Sequence, residues 1–319
     1  KAQANYYGRR FNVDLDPERE VVVTMGSKEG LSSMATAIVA PGDVVLAPSP
    51  SYPIHTYGFI IAGATIRSVP TTPDEAYWDA LDQAMAYTSP RPSVLVVNYP
   101  SNPTAETVDL AFYERLVAWA RENKVWVLSD LAYSELYYDG KPTRSILEVP
   151  GAKEIAVEFT SMSKTYSMAG WRMGFAVGNP TLIAALTRVK SYLDYGAFTP
   201  IQAAACAALN GPQDIVEENR LRYQRRRDVM VESFTRAGWE IPSPPASMFA
   251  WAPLPPGFEH MGSLDFSKQL LEQAGVAVAA GIGYGEEGEG YVRIAMVENE
   301  QRIRQAARNI KRFLQRSNT

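Results

Sequence analysis

Six short runs of apolar and β-branched residues recur from the beginning of the chain to Val177, and no other feature restricts its fold so strongly. They are Val21-Val22-Val23, Val44-Val45-Leu46, Val94-Leu95-Val96-Val97, Val125-Trp126-Val127-Leu128, Ile155-Ala156-Val157 and Gly174-Phe175-Ala176-Val177, with segments of helical pattern between them. A strand exposed on one face alternates apolar and polar residues. These runs do not alternate, so both of their faces must be covered. Strands covered on both faces and spaced by helices make a mostly parallel sheet with helices on each side, and the expected fold class is α/β. With 319 residues, 46% of them hydrophobic, the chain can bury a large core and is long enough for one large domain plus a smaller one.

Past the last of these runs the pattern changes. A long charged helix is expected from about Asp214 to Ala237, followed by the proline-rich stretches Ile241-Pro242-Ser243-Pro244-Pro245 and Pro253-Leu254-Pro255-Pro256-Gly257, which turn the chain into different structure. The expected division is a large domain over residues 1–236 and a small one over 237–319. In the small one, Tyr291 to Met296 reads as a strand and Glu298 to Leu314 as an amphipathic terminal helix. At the other end, Lys1-Ala2-Gln3-Ala4-Asn5-Tyr6-Tyr7 has no initiator methionine and no capping residue, yet runs into Phe11 as a helix already under way. An N-terminal part is expected to be missing from this sequence.

Several classes of function are disfavoured at this stage. The net charge is only -4, so the basic cluster Arg222-Tyr223-Gln224-Arg225-Arg226-Arg227 reads as the wet face of the long helix and not as a nucleic-acid surface. No apolar run approaches the ~20 residues of a membrane span, and no signal peptide is visible. The single cysteine, Cys206, excludes an intramolecular disulfide and fits a reducing cytoplasm. No metal site is expected.

Ligands of open α/β sheets bind beyond the carboxyl ends of the strands, and the residues just past each run are chemically uneven. After the first comes Gly26-Ser27-Lys28, after the second Pro50-Ser51-Tyr52-Pro53, after the third Asn98 to Thr104, after the fourth Asp130, and after the fifth Thr160-Ser161-Met162-Ser163-Lys164-Thr165. These groups suit pyridoxal phosphate, which needs an amine to condense with its aldehyde, a carboxylate facing the pyridinium nitrogen, hydrogen-bonding groups at the ring oxygen, and a phosphate cradle. Lys164 would be the amine. A carboxylate at Asp130, at the end of an apolar strand, is costly unless paired, and a pyridinium would pair it. Tyr133 and Asn102 could reach the ring oxygen, and Tyr52 could stack on the ring.

For the phosphate, the backbone N–H groups at Ser27 and Lys28 begin a helix, Ser161 adds a hydroxyl, and Arg172 should be the principal anchor, because a charge-assisted bond contributes about 1.5–3 kcal/mol against about 0.3–1 for a helix terminus. Strand alternation puts Tyr291, Arg293 and Ala295 on one face, and Arg293 suits a two-pronged grip on a substrate carboxylate. Each residue alone has a plain alternative: a solvated lysine, a turn aspartate, a packed tyrosine, or an Arg293 paired with Glu298. The ordered set is what argues for a site. Gly281-Ile282-Gly283-Tyr284-Gly285 leads into a strand and not a helix, which weighs against a dinucleotide fingerprint.

The spacing Ser-x-Ser-Lys followed by Gly170 and Arg172, with Asn102-Pro103-Thr104 and Asp130-Leu131-Ala132-Tyr133 upstream and Tyr291-Val292-Arg293-Ile294 downstream, resembles the class I/II aminotransferases of the fold type I pyridoxal-phosphate family across essentially the whole chain. The resemblance implies that Lys164 forms the internal aldimine and shuttles the proton, that Asp130 pairs with the pyridine nitrogen, and that Tyr133 and Asn102 contact the ring oxygen. It further implies Ser27, Lys28, Ser161 and Arg172 at the phosphate, Tyr52 on the ring, Arg293 with Asn102 at the substrate carboxylate, and a homodimer. It also implies an N-terminal segment that supplies part of the pocket. Within the family, Val149-Pro150-Gly151-Ala152, Lys190 to Gly196, Arg225 to Val229 and the alanine at Ala105 are most similar to the alanine-forming glutamate-pyruvate aminotransferases. Aspartate and diaminopimelate aminotransferases and a carbon-sulfur lyase of the same fold remain as alternatives. Ala279-Ala280-Gly281 departs from relatives that carry proline before the glycine, and a looser loop ahead of Arg293 is expected.

Overall fold

The computed structural model describes residues 1–317. Among these residues ten strands form two sheets: β1 (Val21–Thr24), β2 (Val44–Ser49), β3 (Thr65–Pro70), β4 (Val94–Val97), β5 (Trp126–Asp130), β6 (Ala156–Ser161) and β7 (Gly174–Gly178) in one, β8 (Phe249–Pro253), β9 (Ala279–Ala280) and β10 (Tyr291–Ala295) in the other. The helices are α1 (Ala2–Phe11), α2 (Ser27–Ile38), α3 (Ile54–Ile61), α4 (Glu75–Tyr87), α5 (Leu110–Asn123), α6 (Met162–Thr165), α7 (Pro180–Leu193), α8 (Thr199–Asn210), α9 (Asp214–Ala237), α10 (Ser263–Ala274) and α11 (Glu300–Ser317). None of them is long and apolar enough to cross a membrane among the described residues.

The large sheet has the order β1-β7-β6-β5-β4-β2-β3. Its β2–β3, β2–β4, β4–β5 and β5–β6 pairings are parallel, and β7 runs antiparallel to both β6 and β1. Only β7 therefore opposes the common direction, and the sheet is mostly parallel, as the non-alternating runs require. Central β4 is buried at all four positions. One apolar layer sets Leu95, Val127 and Val177 against Tyr7, Leu116 and Ile146, and the other sets Val45, Val96, Leu128 and Phe159 against Leu31, Met34 and Phe59. Each fully buried Leu or Phe of this kind contributes about 1.5–3 kcal/mol.

Besides β10, which was expected from its own alternation, three strands have no counterpart in the sequence reading. β3 carries Arg67 and Ser68 because it is an exposed edge strand. β8 is broken up by alanine and ends in proline, and β9 is only two alanines held against Val292 and Arg293. The segment ahead of Arg293 is thus paired into a sheet and not the looser loop expected from Ala279-Ala280-Gly281.

The long helix α9 spans Asp214–Ala237 as read from its charge pattern, but its basic cluster is not simply a wet face. Arg227 is buried and holds both oxygens of Asp139, at 2.7 and 2.8 Å, while Arg226 donates to the Met296 and Val297 carbonyls. Arg222 and Arg225 alone of these arginines are exposed. A second apolar cluster packs α9, α10 and α11 around β8 and β10 through Phe234, Trp239, Phe266, Ile294 and Phe313.

Candidate active site

The carboxyl ends of β2, β4, β5 and β6, the end of β1 and the start of β7 meet at one edge of the large sheet, and β10 faces them from the small one. A cavity of about 290 Å³ opens there, lined by Ser27, Lys28, Tyr52, Asn102, Asp130, Tyr133, Ser161, Lys164, Arg172 and Arg293. Every site residue picked out from sequence thus lines a single cavity. Asn98, Ala132, Ser163, Ala169 and Phe249 complete the lining. A larger cavity of about 600 Å³ lies nearby among Pro50, Thr71, Thr104, Glu106, Trp251 and Tyr291, away from the lysine.

Lys164 lies on the single turn α6, half-buried. Burial, and after it the positive charges of Arg172 and Arg293, hold its ammonium below the usual lysine range. The Asn219 side chain of α9 donates to the Lys164 carbonyl at 3.2 Å and so ties the main chain of the lysine to the long helix.

Asp130 ends β5 and is buried. Its Oδ2 lies 2.9 Å from His55 Nε2, and its Oδ1 accepts from the Ala132 N–H at 3.3 Å. His55 is fully buried on the first turn of α3, and because a carboxylate only accepts, the hydrogen shared with Asp130 is the one on Nε2. His55 was missed in the sequence. The available signal was that it is one of only two histidines in the chain, close behind the tyrosine loop after β2. Burial, and then the charge of Asp130, push the Tyr133 hydroxyl far above the ordinary tyrosine range, so it remains a phenol able to donate.

The anion-binding end is built from α2 and the β6–β7 connection. α2 starts at Ser27, and Ser27 and Lys28 of its first turn line the cavity. Arg172, exposed and left-handed at φ 54, points its guanidinium back across Gly26, donating to the Ala169 carbonyl at 3.0 Å and the Met25 carbonyl at 3.2 Å. A side chain at Gly26 would lie 2.6 Å from Arg172 Nη2, and its φ of +87 is in the left-handed region, so this turn needs glycine. Ser161 also caps α6, accepting from the Ser163 N–H at 3.1 Å. Tyr52 meets the His55 ring edge-on at 6.1 Å, with Lys28 Nζ 5.6 Å from its own centroid.

Arg293 is not paired with Glu298. Its Nη1 donates to Asn102 Oδ1 at 2.7 Å, its guanidinium carbon lies 4.0 Å from the Phe249 ring centroid and 5.0 Å from that of Tyr284, and its Nε has no partner. A half-buried guanidinium without a carboxylate, and with donor capacity left over, is prepared for a carboxylate ligand. Tyr284 itself is brought in by the Ser51 N–H, which donates to its carbonyl at 2.8 Å.

Pyridoxal phosphate fits this donor set. The amine, the buried carboxylate fixed by a histidine, the phenol and the arginine beside a helix start all reach one cavity, and such a set on a mostly parallel sheet defines a pyridoxal-phosphate enzyme of fold type I. The chain belongs to the aminotransferase class I and II family, whose model matches residues 1–310. It is 64% identical over 314 residues to the putative aminotransferase AatC of Rhizobium meliloti (strain 1021), covering 98% of this chain and 78% of that protein. It is 50% identical to the glutamate-pyruvate aminotransferase AlaC of Escherichia coli (strain K12), covering 98% and 76%. Its identity to the LL-diaminopimelate aminotransferase of Moorella thermoacetica is 43%, covering 98% and 80%. Among solved structures it is similar to substrate-bound BacF from Bacillus subtilis, with a TM-score of 0.90 and 34% identity over 98% of this chain and 79% of that one. The protein is an aminotransferase, its cofactor is pyridoxal phosphate, and its substrates are amino and oxo acids.

Proposed function

We propose that the enzyme exchanges the amino group between L-alanine and 2-oxoglutarate, yielding pyruvate and L-glutamate, in two alternating half-reactions at the cavity around Lys164. The observation that carries the substrate assignment is the 50% identity to the glutamate-pyruvate aminotransferase AlaC over nearly the whole chain. The likeness of Val149 to Ala152, Lys190 to Gly196 and Arg225 to Val229 to that subgroup supports it. A second reading, transamination of diaminopimelate, is favoured by the 43% identity to a diaminopimelate enzyme.

When bound, pyridoxal phosphate supplies a protonated pyridine ring that draws electrons from the substrate α-carbon. In this reading Lys164 would be the amine that holds the cofactor and, once free, the base that would carry the substrate α-proton. Burial, with Arg172 and Arg293 nearby, lowers the ammonium pKa, which is the direction such a base needs. Asp130, kept in place by His55, would pair with the pyridine nitrogen and keep it protonated. Tyr133 and Asn102 would donate to the ring oxygen, and Tyr52 would cover the ring. Ser27, Lys28, Ser161 and Arg172 would hold the phosphate. Arg293, oriented by Asn102 between Phe249 and Tyr284, takes the α-carboxylate.

The same reading divides the chain into a cofactor domain over 1–236 and a small domain over 237–319 that carries Arg293. It pairs two copies as a homodimer, supported by the exposed apolar stretch Tyr192, Leu193, Tyr195 and Phe198, and it takes the cytoplasm as its location, on the single Cys206. The test is the absorption spectrum of the cofactor-loaded protein. L-alanine should bleach the cofactor band and pyruvate restore it. Bleaching by LL-diaminopimelate with none by L-alanine transfers the assignment to the second reading.

A further inference from the structure

Asn98, the first residue after β4, lines the cavity and is 4% exposed, yet its amide is fully committed within the protein. Nδ2 donates to the Asp130 carbonyl at 2.8 Å and to the Pro100 carbonyl at 3.3 Å, and Oδ1 accepts from the Asn102 N–H at 2.9 Å. Turning the amide over would set its oxygen against two carbonyl oxygens and its NH₂ against an N–H, so the contacts themselves decide its orientation. Both amide hydrogens are therefore used, and none is left to donate to a ligand.

The placement explains what the amide is for. β4 and β5 are paired as far as Val97 and Ser129, and the side chain of Asn98 extends that pairing by one more bond, to the carbonyl of Asp130. Its other end fixes the backbone of Asn102, whose side chain in turn accepts from Arg293 at 2.7 Å. One amide thus joins the residue facing the cofactor nitrogen to the residue that orients the carboxylate grip.

We propose that Asn98 is a positioning residue that holds the cofactor-facing carboxylate of Asp130 and the Asn102–Arg293 pair at a set distance from each other; this rests on the roles given to those residues under the proposed function. Neither aspartate nor alanine serves both ends. Aspartate has the shape but cannot donate to Asp130, and alanine reaches neither partner.

The test compares Asn98→Asp and Asn98→Ala with the parent protein in two titrations that need no turnover. In one, stripped protein is titrated with pyridoxal phosphate. In the other, loaded protein is titrated with 2-methylalanine, which has an α-carboxylate and an amine but no α-hydrogen to lose. Asn98→Ala should weaken both by about tenfold or more, equivalent to about 1.4 kcal/mol each. Asn98→Asp, which keeps the bond from the Asn102 N–H, should weaken the cofactor titration by a similar factor and the 2-methylalanine titration by clearly less.

Unchanged affinities in both variants, or a lower unfolding temperature with unchanged affinities, would overturn the proposal and leave Asn98 a purely structural residue. If Asn98→Ala does not fold, the split shown by the isosteric Asn98→Asp decides alone. A parent protein that no amino acid bleaches would count against the proposed function, while the cofactor titration would still decide the role of Asn98.

Discussion

Replacing Arg293 by lysine keeps a positive charge on β10 and removes the planar fork, so it separates charge from geometry. In the structure Nη1 is engaged by Asn102 at 2.7 Å, the guanidinium is 4.0 Å from the Phe249 centroid, and Nε is unpartnered. A bound carboxylate can therefore take two charge-assisted bonds from the guanidinium edge, each contributing about 1.5–3 kcal/mol. A lysine ammonium could supply one such bond, and it would lose the guanidinium contact with the Phe249 ring and the bond to Asn102. The loss expected in Arg293→Lys is about 2–4 kcal/mol, or roughly 30- to 1000-fold in kcat/KM for amino acids. The assay is the single-turnover rate of cofactor bleaching against amino-acid concentration, run beside a simple amine that has no carboxylate. The defect should be confined to the amino acid. An equal defect with the carboxylate-free amine, or none with either, would refute the argument, because both would mean that Arg293 acts on something other than the carboxylate.

Three further variants probe other parts of the site and core. Lys164→Ala should abolish turnover while the protein still takes up pyridoxal phosphate noncovalently, seen as retained cofactor absorbance after gel filtration; normal turnover would sink the proposed mechanism. Gly26→Ala puts a methyl 2.6 Å from Arg172 Nη2 at a left-handed φ of +87, and should lower affinity for pyridoxal phosphate and for its phosphate-free analogue unequally, the phosphorylated form suffering more. Glu158, buried in β6, accepts from Tyr7 at 2.8 Å, Ser145 at 2.5 Å and Ser129 at 3.0 Å, yet burial pushes its carboxyl up from 4.5 to about 7. A raised folded value means that this group's stabilisation is complete below about pH 4.5 and disappears as pH rises through about 7, a change of roughly 3 kcal/mol. Chemical denaturation at pH 5 and pH 8 should show that slope in the parent and lose it in Glu158→Gln; an identical slope in both would refute the assignment.

What the sequence determined by itself was the kind of sheet and the chemistry at its edge. Runs such as Val94 to Val97 have no polar residue to turn toward water, so they could only be covered strands, and the groups behind them then had to collect where those strands end. Lys164, Asp130, Asn102, Tyr133 and Arg172 were legible because each sits at a short, regular distance from such a run. The tertiary structure decided what depends on contacts between distant segments. His55 reaches Asp130 across 75 residues, and a solitary histidine in an apolar helix carries no local sign of its partner. Arg227 left the wet face because Asp139, from another part of the chain, was there to meet it. Arg293 turned away from neighbouring Glu298 because the fold offered Asn102, Phe249 and Tyr284 in its place. Edge strand β3 and the two alanines of β9 are strands only because a neighbour supplies their hydrogen bonds. Local pattern records what a residue must avoid, chiefly water or an uncompensated charge; which partner satisfies it is settled only when the chain has closed on itself.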